Sequence, residues 1–313
     1  MRILFILDPL DSIKTYKDTS YAMMQEAVAR GHRLAAMRQE DLIWQSGQVI
    51  CYAQDLELTG NDKDWYRVSG RRAMSPRDFD CIIMRKDPPF DMEYVYTTYI
   101  LDRAKADGVL IVNDPQALRD MNEKAYTAWF PECTPLTLIT RSMDDMKGFL
   151  ADHGRVVVKP LDGMGGRSIF VVISGDNNAN VIFETLTDHG QRFAMAQVYI
   201  PEISLGDKRI LLIDGEPIPH ALARIPSGDD NRGNIVAGAL AKGQDLSDSD
   251  CRICDQVGPV LRDAGVLFAG IDVIGDYLTE VNVTSPTGIR ELDRQFELNI
   301  AGNLFDAIED KLA

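Results

Sequence analysis

The sequence predicts an α/β (α+β) protein, a small open α/β domain followed by a part built mainly of antiparallel sheet. Three observations carry this. Strand-like apolar runs alternate with helical patterns over Met1–Asn113, the order that lays helices on the faces of one sheet. Late in the chain, Lys208–Ile213 and Ile218–Ile225 meet at Asp214-Gly215, a dipeptide that favours a two-residue hairpin turn. Phe268–Arg290, FAGIDVIGDYLTEVNVTSPTGIR, alternates apolar and polar side chains on both sides of Gly275-Asp276 and reads as a second hairpin.

The elements follow in order. Arg2–Asp8 is a strand, and Asp18–Ser20 offers N-cap residues for a helix through Arg30 that Gly31 stops. Arg33–Met37 is a second strand, and Leu42–Leu58 a hairpin about Ser46-Gly47. Asp80–Met84 is a buried strand that runs into the stiff polar loop Arg85–Pro89. Met92–Ala106 is helical and Val109–Asn113 extended. Leu118–Phe130 reads as a helix with Lys124 inside it. Thr134–Thr140, Arg155–Lys159 and Ser168–Ile173 are strands, with helix Asp144–His153 between the first two. The Gly-rich loop Pro160–Arg167, PLDGMGGR, separates the last two. Met195–Ile200 is extended. A long polar, Gly-containing stretch, Pro226–Gly243, precedes helix Ser249–Gly265, and a helix about Phe296–Leu312 ends the chain.

The chain has 313 residues, enough for two or three domains. Its formal net charge is −15, which argues against nucleic acid or an anionic membrane as the main partner. No apolar run approaches the ~20 residues of a membrane span. The opening MRILFILDPL has too short an apolar run for a secretory signal. Five scattered cysteines do not make a disulfide framework. Cys251 and Cys254 lie in an amphipathic helix and read as packing thiols. Together these predict a cytoplasmic protein.

The last hairpin carries the first chemical signal. Ile271, Val273, Val281 and Val283 must share the buried face, which sets residue 272 opposite residue 280 and implies an odd-length loop, Gly275–Tyr277. Asp272, Glu280 and Asn282 then stand together on the other face. Two carboxylates and an amide oxygen make a hard-oxygen site suited to Mg²⁺ held with substrate phosphates. A solvated polar face is the bland alternative, but such a face usually carries lysines and threonines.

The second signal is cationic. Gly163, Gly165 and Gly166 permit close backbone approach, and successive N–H groups in such a loop can cradle phosphate. The loop is not a P-loop, because GK[ST] is missing, nor a dinucleotide fingerprint, because a strand follows it. Lys159, at the end of a buried strand, needs an anionic partner, and Lys124 could reach the same phosphates. A two-residue turn puts Arg209 and Arg224 on one face of their hairpin, where two cations repel unless something negative lies between them. Two lysines, two arginines and three metal-type ligands together describe a nucleoside triphosphate site with Mg²⁺. The extended link Met195–Glu202 could offer backbone to an adenine edge, and Asp207 could take ribose hydroxyls. Arg85 and Lys86 lie at a strand end where open α/β sheets bind ligands. They could hold a substrate carboxylate, and a plain surface loop reads equally well.

The stretches MRKDPPFD (Met84–Asp91), IVNDPQALRDMNEK (Ile111–Lys124), VVKPLDGMGG (Val157–Gly166), RIPSGDDNRGN (Arg224–Asn234) and GIDVIGDYLTEVNVTSPTGIRE (Gly270–Glu291) carry a family resemblance. The chain resembles the ATP-grasp superfamily, and within it the prokaryotic glutathione synthetase family, from its first strand to its last helix. The resemblance implies a preATP-grasp domain over residues 1–120 and a lid subdomain with the Gly-rich loop over 121–200. A C-terminal, mainly antiparallel subdomain with the metal site and a flexible loop would then span 201–313. It implies that ATP phosphorylates the cysteinyl carboxylate of γ-glutamylcysteine and that glycine displaces the phosphate to give glutathione. Lys124 and Lys159 resemble the ATP-phosphate lysines, Gln197–Ile200 the adenine hinge, and Asp207 the ribose contact. Arg209 and Arg224 resemble arginines that stabilise the transferring phosphoryl group. Asp272, Glu280 and Asn282 resemble the ligands of Mg²⁺, with Mn²⁺ as an alternative, and Ser285 and Thr287 a substrate-contacting turn. Family members are often tetramers, which implies a homo-oligomer by analogy.

Two departures stand out. Ala237-Gly238-Ala239-Leu240 replaces a frequent Gly-Gly pair, and Arg167 stands where a small residue is common. Both bear on loop motion and turnover rate rather than on the reaction. Because an acyl phosphate must be kept from water, Pro226–Gly243 is expected to be a lid, with Arg232 as its catalytic contact. Two readings compete: another ATP-grasp carboxylate–amine ligase, and an ATP-binding regulatory module without catalysis. The first shares the fold and differs in its acceptor. The second would tolerate loss of an arginine or metal ligand, and none is lost.

Overall fold

The computed structural model describes residues 1–163, 165–225 and 240–313. The lid expectation for residues 226–239, with Arg232 in it, lies outside the described residues. Strand β1 (Arg2–Ile6) is apolar and fully buried beyond its first residue, as a central strand covered on both faces must be. Helix α1 (Thr19–Ala29) follows, capped by Asp18, whose carboxylate accepts from the Tyr21 N–H, and ended by Gly31 at φ 78°. Strand β2 (Arg33–Met37) pairs parallel with β1. Strands β3 (Leu42–Gln45) and β4 (Gln48–Leu58) form the expected hairpin about Ser46-Gly47. Two short strands missed by the polarity pattern, β5 (Tyr66–Val68) and β6 (Arg72–Met74), pair with β4. Strand β7 (Cys81–Met84), helix α2 (Met92–Ala106), strand β8 (Leu110–Val112) and helix α3 (Pro115–Asp120) complete this part. The strand order is β3-β4-β2-β1-β7-β8. The chain leaves β1 to one side for β2 and later returns to its other side as β7. That is a topological switch point, and its crevice opens at the carboxyl ends of β1 and β7.

The expected helix over Leu118–Phe130 is broken. α3 stops at Asp120, and only a 3-10 turn, Ala125–Trp129, follows. The Asn122 side chain accepts from the Lys124 and Ala125 N–H groups at 3.1 and 2.9 Å, replacing helical partners. Lys124 therefore caps the turn instead of lying inside a helix.

A four-stranded sheet comes next: β9 (Thr137–Thr140), α4 (Met143–His153), β10 (Arg155–Pro160), β11 (Phe170–Ile173), α5 (Ala179–Thr187) and β12 (Ala194–Val198), ordered β11-β10-β12-β9. Helix α5 was not expected from the sequence. Its core is its own: Met146, Leu150, Val156, Val158, Phe183 and Leu186 are buried against one another.

The third sheet, β15-β14-β13-β16-β17, is antiparallel throughout. It comprises β13 (Asp207–Ile213), β14 (Glu216–Ile225), β15 (Leu240–Asp245), β16 (Phe268–Ile274) and β17 (Tyr277–Asn282), with α6 (Asp248–Asp263) before β16. The expected loop thus ends earlier than Gly243, because Leu240–Gly243 already belong to β15. The expected helix about Phe296–Leu312 is α8 (Ile300–Leu312), and a separate helix not expected from the sequence, α7 (Ile289–Phe296), precedes it. Glu297 at φ 55° breaks them apart, and the Asn299 side chain caps the second by accepting from the Gly302 N–H. Cores of the first and third sheets are continuous: Leu4, Ile6 and Ile82 pack with Ile210, Val273 and Val281. Asn113, just past β8, stitches them further. Its amide donates to the carbonyls of Phe268 and Val283 at 2.7 Å each and accepts from the Phe268 N–H at 2.9 Å.

Candidate active site

A cavity of about 810 Å³ lies where the three sheets meet. Its floor is the five-stranded sheet. Register sets Arg209 directly opposite Asp272, Asp272 opposite Glu280, and Gly270 opposite Asn282. Ile271, Val273, Val281 and Val283 are fully buried on the other face, so the alternation in the sequence holds. The expected three-residue turn does not. Ile274 pairs with Tyr277 across the two-residue turn Gly275-Asp276. Parity is restored by a β-bulge, because Val273 faces Leu278 while Asp272 faces Glu280, leaving Thr279 extra. The bulge has a use. Thr279 donates its hydroxyl to the Asp272 carbonyl at 3.1 Å, and its own carbonyl accepts from Lys159 Nζ at 3.3 Å.

Arg209 and Arg224 share one face, as expected. The irregularity between Ile210 and Leu212 sets one residue of β13, Leu211, against three of β14, Ile218 to His220, an even difference that preserves parity. What lies between the two cations is Asp272. Arg209 grips it with two hydrogen bonds, Nε to Oδ1 at 2.5 Å and Nη2 to Oδ2 at 2.9 Å. Arg224 Nη2 reaches the same Oδ2 at 2.9 Å and Asp207 Oδ2 at 2.5 Å. Burial pushes the Asp272 carboxyl up, but the two guanidiniums outweigh it and hold the group well below the usual carboxylate range. Asp207 shows the reverse balance. Burial, with Asp272 and Glu280 nearby, pushes it to about 7 against the pull of Arg224.

Glu280 sits between the lysines. Its Oε1 is 3.6 Å from Lys124 Nζ and 3.9 Å from Lys159 Nζ. Lys159 is buried, and burial depresses its pKa while Glu280 raises it. Lys124 Nζ also donates to the Gly163 carbonyl at 2.5 Å, tying the Gly-rich loop to the floor. Gly165 and Gly166 hold φ 66° and 73°, backbone that favours glycine. Gly163 is confined differently, since a Cβ there would lie 2.8 Å from Pro160 Cγ.

Gln197, Val198, Tyr199, Ile200 and Asp207 all line the cavity. The N–H groups of Val198 and Tyr199 are taken by the Leu136 and Arg155 carbonyls. The Ile200 N–H has no backbone acceptor among the described residues. Ser285 and Thr287 line the opposite end. Arg85 stands behind that wall: Nε donates to Ser20 Oγ and Nη2 to the Pro286 carbonyl, each at 3.0 Å. It braces the Ser285–Thr287 turn.

Sequence reasoning missed Glu123. Burial and the charge of Glu280 push its carboxyl up to about 7. It accepts from Thr284 Oγ1 at 3.2 Å, and its carbonyl accepts from the Val281 N–H at 2.8 Å. Its place beside Lys124 in the Asn-Glu-Lys run was the available signal. Ser12, Lys14, Lys17 and Asp18 were missed too, and they line the cavity at the carboxyl end of β1. Among the described residues no group of three His, Cys, Asp or Glu side chains could hold a metal ion. Two carboxylates and one amide oxygen on adjacent strands nonetheless fit a hard divalent cation that completes its shell with phosphate oxygens and water.

The family model described as "Prokaryotic glutathione synthetase, N-terminal domain" matches residues 1–119, and "Prokaryotic glutathione synthetase, ATP-grasp domain" matches 123–297. The glutathione synthetase of Vibrio parahaemolyticus is 51% identical over 307 residues, which cover 98% of this chain and 97% of that protein. That of Escherichia coli K12 is 50% identical, with 98% and 97% covered. Among solved structures, D-cycloserine synthetase DcsG superposes with a TM-score of 0.70 at 15% identity, over 99% of this chain and 100% of that one. D-alanyl-alanine synthetase A from Vibrio cholerae gives 0.63 at 13% identity, over 100% and 98%. At such identities these two show a shared fold alone.

Proposed function

The chain belongs to the prokaryotic glutathione synthetase family, and from that membership we propose how its residues divide the work. The enzyme is an ATP-dependent carboxylate–amine ligase that joins γ-L-glutamyl-L-cysteine to glycine. The cysteinyl carboxylate oxygen takes the terminal phosphoryl group and ADP leaves. The glycine nitrogen then bonds the acyl carbon, phosphate departs with the electron pair of the C–O bond, and the amine gives up a proton. The products are glutathione, ADP and phosphate.

The observation that carries the residue assignment is the register Arg209–Asp272–Glu280 across three neighbouring strands, facing the Gly-rich loop. Lys124, Lys159 and the loop backbone at Gly163, Gly165 and Gly166 bind the ATP phosphates. The Ile200 N–H and the Gln197–Ile200 strand meet adenine, and Asp207 meets ribose. Arg209 and Arg224 steady the charge that develops during phosphoryl transfer and on the tetrahedral adduct. The family uses a divalent metal with ATP. We assign it as Mg²⁺, with Mn²⁺ as a substitute, held by Asp272, Glu280 and Asn282. When bound, it would neutralise phosphate charge. Ser285 and Thr287 contact the peptide substrate, and Arg85 fixes their turn. The Cys51, Cys81, Cys133, Cys251 and Cys254 thiols are all free, which supports a cytoplasmic location. Family analogy supports a homo-oligomer, a tetramer, which light scattering would test.

Phosphate release is the test of the reaction. γ-Glutamylcysteine with glycine should give fast, metal-dependent release and a tripeptide. D-alanine pairs, or γ-glutamylcysteine without glycine, should give little. Equal release with D-alanine pairs would overturn the substrate assignment.

A further inference from the structure

Helix α2 lacks a polar face. Its inner side, Tyr94, Leu101 and Ala104, is buried against the first sheet. Its outer side carries Met92, Tyr96 and Tyr99, each about half exposed. Other surface helices turn charge outward, as α8 does with Asp306 and Asp310 and α4 with Asp144 and Lys147. A helix that is apolar all round is expected to be covered all round. Met92, Tyr96 and Tyr99, with Arg103 after them, follow one another at spacings of four, three and four residues. That spacing makes a seam along which one helix packs against another.

The stripe extends onto the sheet. The edge strand β3 lies against α2. Its Leu42 is buried in the same core as Tyr94 and Leu101. Trp44, two residues on, shares the face of Leu42 and is half exposed. Four half-exposed large side chains offer about 400 Å² per copy, at about 100 Å² each. That is about half of the ~800 Å² that each partner buries in a standard interface. Tyrosine, tryptophan and methionine are also side chains enriched in such contacts.

The charges along α2 choose the occupant. Glu93 lies in the first turn and Arg103 in the last. Both are exposed, and neither has an ion-pair partner among the described residues. A second α2 can lie antiparallel to the first across a two-fold axis between residues 97 and 98. Tyr96 then meets Tyr99 of the partner subunit, and Met92 meets Arg103 of the partner subunit. Glu93 stands beside that same guanidinium, twice over by symmetry. A parallel pair would bring Glu93 to Glu93 and Arg103 to Arg103, and like charges repel.

We infer that the outer face of α2, with Trp44 beside it, is a two-fold contact between copies of this chain, packed α2 against α2 in antiparallel. This rests on the reading that the protein is a homo-oligomer and gives that reading a surface. None of Trp44, Met92, Tyr96 and Tyr99 lines the cavity, so assembly and turnover are separable.

Sedimentation velocity and light scattering test it, on the full-length enzyme over a dilution series at low ionic strength. The wild type should assemble. The double variant Y96E/Y99E should halve the mass of the assembly and raise its dissociation constant at least a hundredfold. Tripeptide formation per chain should be unchanged, which also shows that the variant is folded. Glu93→Arg and Arg103→Glu leave the buried side of the helix alone, so they decide the matter should the tyrosine variant misfold. Each should weaken assembly about tenfold, and the two together should restore it. A monomeric wild type overturns this surface and the homo-oligomer reading together. A wild-type assembly whose mass survives the tyrosine substitutions overturns the surface alone. Charge reversals that fail to rescue one another overturn the antiparallel pairing.

Discussion

The two sheets that face each other across the cavity treat charge in opposite ways. The five-stranded sheet presents Arg209, Arg224 and Asp272, all buried and all ion-paired, with Asp207 beside them. The four-stranded sheet presents Lys159, a glycine-rich backbone and apolar side chains such as Val157 and Phe170. Charges fixed by sheet pairing cannot relax when a reaction redistributes charge, so they act on the transition state. Backbone and apolar contacts grip a nucleotide equally before and during reaction. On the proposed assignment, rate belongs to the five-stranded sheet and affinity to the four-stranded one.

The sharpest way to break it is Arg224→Ala. Loss of one well-placed donor to developing charge costs ~3 kcal/mol, roughly a hundredfold in rate. The maximal rate should fall far more than ATP affinity. If ATP binding weakens while the maximal rate survives, the arginine is only a binding contact. Glu280→Gln should follow with a loss of roughly tenfold to a hundredfold in turnover, partly restored at high Mg²⁺. Circular dichroism should show an intact fold, because no lysine is closer to Glu280 than 3.6 Å. Full activity in this variant removes Glu280 from the metal site.

Glu123 sharpens the contrast through pH. Its carboxyl ionises near 4.5 when unfolded and near 7 when folded. A raised folded pKa gives stability that is present below about pH 4.5 and is lost as pH rises through about 7. Glu123→Gln should therefore gain stability relative to wild type across that window. At ~1.4 kcal/mol per pK unit, the gain is at most about 3 kcal/mol. Urea titrations with chelator at pH 4.5 and 8 measure it, and a pH-independent difference would contradict a buried acid. The smallest effect belongs to the affinity sheet. Gln197→Ala should raise the KM for ATP by less than about tenfold, within the worth of a single hydrogen bond, and leave the maximal rate alone. A large drop in rate would erase the division between the sheets.

Much of the five-stranded sheet was legible because its chemistry is written in period two. Asp272, Glu280 and Asn282 alternate with valines and isoleucines that have to be buried, and the two-residue turn Asp214-Gly215 fixes the common face of Arg209 and Arg224. The Thr279 bulge was not legible. It changes the turn length and the pairing together, and the two changes cancel in the polarity pattern. The break before Lys124 rests on one side chain, Asn122, outbidding the helix for two N–H groups. Lys14 and Lys17 carry no period at all. Their place in the cavity wall comes from a turn and from the packing of α7 near β1, contacts between ends of the chain almost 280 residues apart.

The private core of the four-stranded sheet has a thermal consequence. Its buried residues pack among themselves, whereas the other two sheets share their cores and the Asn113 stitch. Heat can therefore melt the smaller unit first, while the rest of the molecule stays folded. A nucleotide bound between the Gly-rich loop and the floor requires the smaller unit to be folded, so its binding energy is added to that unit's stability by mass action. The empty enzyme would unfold in two steps and the filled one in a single step. ATP would then serve as a structural strut as well as a reactant.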